Sequence, residues 1–399
     1  MDPSSGRPTL RWLRLLVLCS FTACAPSGPQ SADGDVPALE IGDPLPGLTG
    51  AERTRFDRGR ALFARIYTPE EGLGPRYNEN SCSACHTFPV DGGTGETAVR
   101  KATRHSGRGG SCDLMTPSGG ENLRRQVTPV AAERGAVPVS MPPDREHEAT
   151  FSIPFVFGLG LVEALPLDDI RRRADPDDGD GDGISGRLGR DVAGRPARFG
   201  RKSDVATLLD FTDSALRLEM GLTTPAAPDE RRAGATPPVP TGSDPAPEPE
   251  VDSASVADLV AFLTFLAPPP TGDDSSTEAG AALFTSLGCA DCHVPHMETG
   301  PSPSPALDRR PVALFSDLLL HDMGPALAGT CAPGATPTEY RTEPLMGLRY
   351  RETFLHDGRA RRVRDAILLH GGEATAARDR FAALDRLAQE ELLRYLRTL

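Results

Sequence analysis

Cys82, Cys85 and His86 stand together in "NSCSACHTFP", and the same residue types return in the same order as Cys289, Cys292 and His293 in "LGCADCHVPH". Two thiols three apart, followed at once by an imidazole, could grip zinc, cycle as a disulfide or carry a haem. A structural zinc site draws four ligands at characteristic spacing, and the four cysteines together could supply them. A histidine fused to each pair is better placed for haem iron, and a dithiol redox pair needs no such histidine. Haem c uses all three residues: the thiols add to the two vinyl groups and the imidazole reaches the iron. The two copies predict two covalent haem c groups, with His86 and His293 as iron ligands.

A second group of candidate ligands lies in "DPDDGDGDGISGR". Asp178, Asp180 and Asp182 alternate, Gly183 permits a sharp turn, and Ile184 offers a carbonyl, which is the first half of a calcium loop. Gly189 stands where such a loop closes on Glu, with Asp191 as the substitute.

The elements that must position the two motifs echo each other. "GRALF" (59–63) precedes the first and "GAALF" (280–284) the second, each on a short helical pattern. Helix-period runs close the halves, "SVADLVAFLTFL" at 255–266 and "QEELLRYLRTL" at 389–399. A helix before the motif and a helix closing the unit is the layout of a class I cytochrome c domain. The expected fold is mainly α, with two such haem domains, long loops and a disordered insert. The domains are expected at 51–268 and 271–399. The insert is the segment 223–252, rich in Pro, Ala and acid, which has little to bury and is expected to be exposed.

The start, "RWLRLLVLCSFTACAPSG", reads as a secretory leader at 1–23, because its apolar run is too short to span a bilayer. Small Ala23 before Cys24 suits a lipid anchor on Cys24, with a tether at 24–50; ordinary cleavage after the "ACA" of 23–25 is the rival. The expected location is the periplasm or cell envelope, where Cys112 and Cys331, left over from the motifs, could form a disulfide. Residues 1–23 carry three arginines against one aspartate, so a chain of formal charge −13 leaves a mature part near −15. That excess argues against nucleic acid as a partner and permits a basic redox partner.

Further stretches carry a family likeness: "GLGPRYNENSCSACH" (72–86), "FGLGLVEALP" (157–166), "SDLLLHDMGPALAG" (316–329) and "FLHDGRARRVRDAILLHGGEA" (354–374). Together with the acidic loop, they resemble the di-haem oxidoreductases, also called thiol oxidoreductases, which are similar in turn to bacterial di-haem cytochrome c peroxidases and MauG. The resemblance runs from about residue 50 to 399, broken at the insert. It implies an N-terminal haem that meets peroxide, a C-terminal haem that passes electrons, and an electron donor or acceptor in the same compartment. It also places His370, after "HDG" and a short helix, as the distal ligand of the second haem. Met323 is the next candidate, while Met346 falls where core packing is expected. Glu163, a carboxylate in an apolar run, is the implied proton carrier, against a reading as a buried partner for an arginine. His105 and His147 are the histidines available to the first haem. His321, Asp322, His356 and Asp357 are expected to hold propionates or backbone near the second. The family's relay tryptophan has no counterpart, because the single tryptophan is Trp12. A non-catalytic electron-transfer cytochrome is the alternative, and a protein using haem only as structure is a third reading.

Overall fold

The computed structural model describes residues 39–106, 111–229, 239–272 and 277–399. The leader at 1–23, Cys24, the first part of the tether and residues 230–238 of the insert lie outside the described residues. Helix makes up 34% and strand 13%. No helix among the described residues is long and apolar enough to cross a membrane.

Two helix pairs frame the molecule. Helix α1 (Gly50–Ala64) packs on α2 (Ser253–Phe265), and α3 (Glu278–Ser286) packs on α4 (Arg386–Leu396). Their starts are written locally. Thr49 and Glu52 form a reciprocal capping box on α1, while Asp252 and Asp385 cap α2 and α4 through the amides of Ser255 and Ala388. The repeated glycine of each "GxALF" sits at the crossing. A Cβ at Gly59 would lie 2.0 Å from the Asp258 carbonyl oxygen, and one at Gly280 would lie 2.4 Å from that of Glu391. Only glycine lets these backbones approach so closely. The repeated phenylalanine then packs against the closing helix: Phe63 lies 4.9 Å from Phe262, and Phe284 lies 5.7 Å from Tyr395, ring to ring.

Residues 39–399 form one compact unit. The main apolar cluster joins Phe56, Phe63 and Phe262 to Leu314, Leu318 and Leu319, from both sides of the boundary expected near 268. A smaller cluster gathers Phe284, Phe315, Phe381 and Leu392. Two expectations need correction. Residues 39–50 do not trail as a tether, because Leu45 is buried and its amide bonds the Phe265 carbonyl. The described flanks of the insert are not disordered either. Thr223, Thr224, Ser243 and Val251 are buried, and Glu250 accepts the Thr223 amide at 2.7 Å, so sparse apolar residues and side-chain hydrogen bonds hold a segment whose composition suggested none.

A three-stranded antiparallel sheet of β1 (Val99–His105), β2 (Cys112–Asp113) and β3 (His147–Phe151), in the order β2–β1–β3, lies in the N-terminal half. Cys112 is bonded to Cys331, their Cα atoms 5.8 Å apart. The bridge closes 219 residues and ties this sheet to the C-terminal half. In the chain-entropy account a loop of that size is worth about 5 kcal/mol before strain is counted.

Candidate functional site

The first motif occupies a short helix, Cys82–Cys85, capped by the Ser81 hydroxyl on the Ala84 amide. The second begins on the turn Cys289–Asp291, after Gly288 ends the approach from α3. None of the four motif cysteines is in a disulfide. Burial pushes the Cys82 and Cys85 thiols up to about 12 and Cys289 up to about 11. Thiols so hard to ionise make poor thiolate ligands for a metal as they stand.

His86 Nδ1 lies 3.0 Å from the Gly93 carbonyl oxygen, and His293 Nδ1 lies 2.9 Å from that of Phe315. A carbonyl cannot donate, so each Nδ1 carries the proton; in His293 this leaves Nε2 with its lone pair, while the His86 ring also meets the Pro154 backbone carbonyl. That is the tautomer a metal-binding imidazole needs, with the orienting partner it usually has. Burial lowers both rings' pKa, His293 to about 4, so both stay neutral. His370 repeats the arrangement. It follows the helix Val363–Leu369, its Nδ1 donates to the Ala366 carbonyl at 2.8 Å, and burial keeps it neutral. The helix-end contact thus involves one nitrogen and leaves the other for a metal.

His293 and His370 line one cavity of about 390 Å³, together with Cys289, Cys292 and Met323. The volume falls in the range of about 300–1,000 Å³ usual for cofactor sites. Apolar walls come from Phe284, Leu345, Leu348, Phe354 and Ile367, and Thr94 and Ile153 close it on the side of the first motif. Thiols, two free imidazole nitrogens and apolar walls fit a haem between His293 and His370. Met346 does not line this cavity and packs in the main apolar cluster.

Other expected residues fall elsewhere. Glu163, on the helix Leu159–Ala164, accepts the Leu208 amide at 2.8 Å and so anchors the start of the helix Leu208–Ala215; the cavity does not include it. Arg198 donates to the Glu163 carbonyl. His105 and His147 face each other across β1 and β3, ring centroids 6.4 Å apart. In the acidic loop the carboxylates of Asp175, Asp178 and Asp180 come together. Asp182, expected among them, instead accepts the Ile184 amide at 2.8 Å, and Asp191 pairs with Arg195. The alternation beginning at Asp178 concealed that Asp175 turns back over the loop, bonding the Gly179 amide.

Several groups escaped the sequence reading. Asn78, Asn122 and Glu219 form a closed network before the first motif, with Asn78 Nδ2 2.7 Å from both Asn122 Oδ1 and Glu219 Oε2, and Asn122 Nδ2 2.6 Å from Glu219 Oε1. Burial raises the Glu219 carboxyl, and its charge helps to raise Cys85. Asn78 lies four positions ahead of Cys82, but nothing local announces Glu219 as its partner. A buried group flanks Cys292. His321 is clamped between Asp317, 2.8 Å from Nε2, and Glu373, 2.7 Å from Nδ1. Both its ring nitrogens are thus taken by carboxylates, where propionates or backbone were expected. His356 lines the cavity and stacks on Tyr340 at 4.2 Å, and burial lowers it to about 4.

Residues 145–399 match the family described as "Di-haem oxidoreductase, putative peroxidase". Among solved structures the chain is similar to hydrazine synthase of Kuenenia stuttgartiensis, at 14% identity over 99% of this chain and 100% of that one, with a TM-score of 0.39. It is also similar to the di-haem peroxidase BthA of Burkholderia thailandensis, at 15% identity over 90% of this chain and 87% of that one, with a TM-score of 0.41. A MauG-like protein associated with microbial copper homeostasis follows at 14% identity over 91% and 93%, with a TM-score of 0.38. No curated protein matches the chain.

The clamped imidazole sets a pH dependence. Burial opposes the charge on His321, but the hydrogen bonds to Asp317, Cys292 and Glu373 outweigh it and push the ring up to about 12 from an ordinary 6.5. Its contribution to stability is complete below the unfolded value and is lost as pH rises toward the folded one. Between pH 7 and 10 the wild type should lose up to about 1.4 kcal/mol per pH unit that His321→Gln does not. Denaturant titrations across that range measure the two slopes, and parallel slopes would show the ring to be neutral.

Proposed function

The chain belongs to this di-haem oxidoreductase family, and we propose that it is an exported peroxidase-type enzyme carrying two covalent haem c groups in cytochrome c-like modules. The observation that carries the reading is the pair His293 and His370, each with Nδ1 committed to a backbone carbonyl, lining one cavity with two free thiols. When bound, haem supplies one-electron exchange and, at an open iron, activation of peroxide. The protein contributes positions, insulation and proton handling. Cys289 and Cys292 would tether the second haem, and His293 and His370 would hold its iron, as the electron-transfer centre. Cys82, Cys85 and His86 hold the first as the substrate site. The Cys112–Cys331 bridge supports export to an oxidising compartment, the periplasm or cell envelope, with Cys24 as the lipid anchor. A redox partner of basic character suits the acidic mature chain.

The haemochrome of the purified protein should give two haems per chain, falling to one in a Cys289→Ala, Cys292→Ala variant. Replacing His370 by Met exchanges an imidazole for a thioether, which favours ferrous iron. One of the two midpoint potentials should rise and the other stay fixed. Should Met323→Ala move a potential while His370→Met does not, His370 is not the ligand.

Proton transfer at the first haem is assigned to Glu163. Gln at this position still accepts the Leu208 amide but cannot carry a proton. Glu163→Gln should keep the melting temperature and lose peroxide turnover by roughly 10²–10⁴-fold. Turnover at the wild-type level returns Glu163 to its anchoring role alone.

Calcium is assigned to the loop 175–184, through Asp175, Asp178 and Asp180. A ligand that binds only the native state raises its melting temperature. Chelator should lower it in the wild type and leave an Asp178→Ala, Asp180→Ala variant unchanged; a wild type indifferent to chelator has no such site.

A further inference from the structure

Arg201, Arg341 and Arg351 converge on one carboxylate, Glu343, at 3.3, 3.0 and 3.1 Å. The three arginine side chains are only 15%, 10% and 13% exposed. All four residues line the cavity that holds His293 and His370. Burial works against the Glu343 charge, but the three guanidinium groups outweigh it and hold the carboxyl down at about 2. The cluster therefore carries three positive charges against one negative.

The surplus is not met by the remaining contacts. Arg201 reaches the Ser152 carbonyl and hydroxyl, Arg341 the Gly200 carbonyl and Arg351 the Pro344 carbonyl, all neutral. Asp204 adds its field to Arg341 from outside the cavity wall, but Lys202 draws on the same carboxylate. Buried charge without a partner costs several kcal/mol. Three donors on this wall also lack an acceptor: Nε of Arg201, Nε of Arg351 and the hydroxyl of Tyr340 are each buried without a hydrogen bond. Unmet donors and surplus positive charge on one cavity wall describe a partner that is anionic, doubly charged and rich in acceptor oxygens.

We infer that Arg201, Arg341, Arg351 and Tyr340 form the anion subsite that receives the two propionates of the second haem, an assignment that rests on the haem reading above. The charges match, two carboxylates against a surplus of two. The chemistry of haem also matches, because its carboxylates leave from the edge remote from its vinyl groups. Once Cys289 and Cys292 fix the vinyl edge, the propionates point away from the motif, and none of these four side chains hydrogen-bonds to it. Glu343 holds the arginines in one array before any haem arrives. The subsite is thus a positioning device: with the vinyl edge fixed by the two cysteines, it would hold the opposite, carboxylate-bearing edge.

The holoprotein tests this. Resonance Raman spectra report the propionate bending band, which shifts when a hydrogen bond to the carboxylate is lost. Tyr340→Phe removes one oxygen that has no protein partner, so the fold stays intact; Arg351→Gln removes one charge. The bending band should shift in both variants, both haems should remain attached, and Arg351→Gln should lower one midpoint potential while the other holds. Bands unmoved in Tyr340→Phe and Arg351→Gln, with two haems present, overturn the subsite, and so does a fallen potential without a band shift, since a charge acts through space. If Arg351→Gln does not fold, Tyr340→Phe decides alone. A wild type without two haems overturns the functional reading itself, and this inference with it.

Discussion

A hydrogen bond from an imidazole Nδ1 to a backbone carbonyl is the constraint on which the rest of the site depends. It fixes the tautomer, the ring plane and the direction of the free Nε2 in one contact. The acceptors are not spare groups. Gly93 lies in the loop that follows the first motif, where the Gly92 carbonyl receives the Val156 amide, and Phe315 follows the strand that pairs with Met297–Glu298. Ala366 belongs to the helix that ends at His370 itself. Each carbonyl is in place because a larger element is in place, so the ligand geometry reports the fold around it.

That fold is two helix pairs built on the same contact and then merged. The crossings at Gly59 and Gly280 are so close that a methyl group would strike backbone. Close crossing brings Phe63 within 6.0 Å of His86, ring to ring, and Phe284 within 5.9 Å of Phe315, whose carbonyl holds His293. Merging follows from the apolar cluster, which spans both halves and leaves no packing boundary at the Pro-rich stretch near 268.

The motifs and the echoing helices were legible in the sequence because each is a local pattern: a spacing of three, a helical period. His370 stood out only through family likeness; its Nδ1 bond to the Ala366 carbonyl and its place in the cavity are facts of the fold. What stayed hidden was non-local. The partners of Asn78 and His321 lie 141 and 52 residues away in Glu219 and Glu373. The arginines around Glu343 come from segments about 150 residues apart, and each looks locally like a solvated charge. The acidic loop misled for the opposite reason: its alternation is so regular that Asp175, which joins Asp178 and Asp180, falls outside the pattern. The insert misled through composition, since a few buried threonines do what apolar residues usually do.

The Cys112–Cys331 bridge brackets the second motif: Cys289 and Cys292 lie inside the loop it closes. Six described cysteines with one native pairing make an error-prone substrate for oxidation, because a motif thiol lost to a wrong disulfide cannot form a thioether. Under the haem reading, cofactor attachment removes four of the six thiols from the competition and leaves one pair to oxidise. The order of covalent events during maturation then matters as much as the folded end state. Attachment first makes the bridge self-selecting, whereas oxidation first requires an isomerase or reductant to keep the two motifs open.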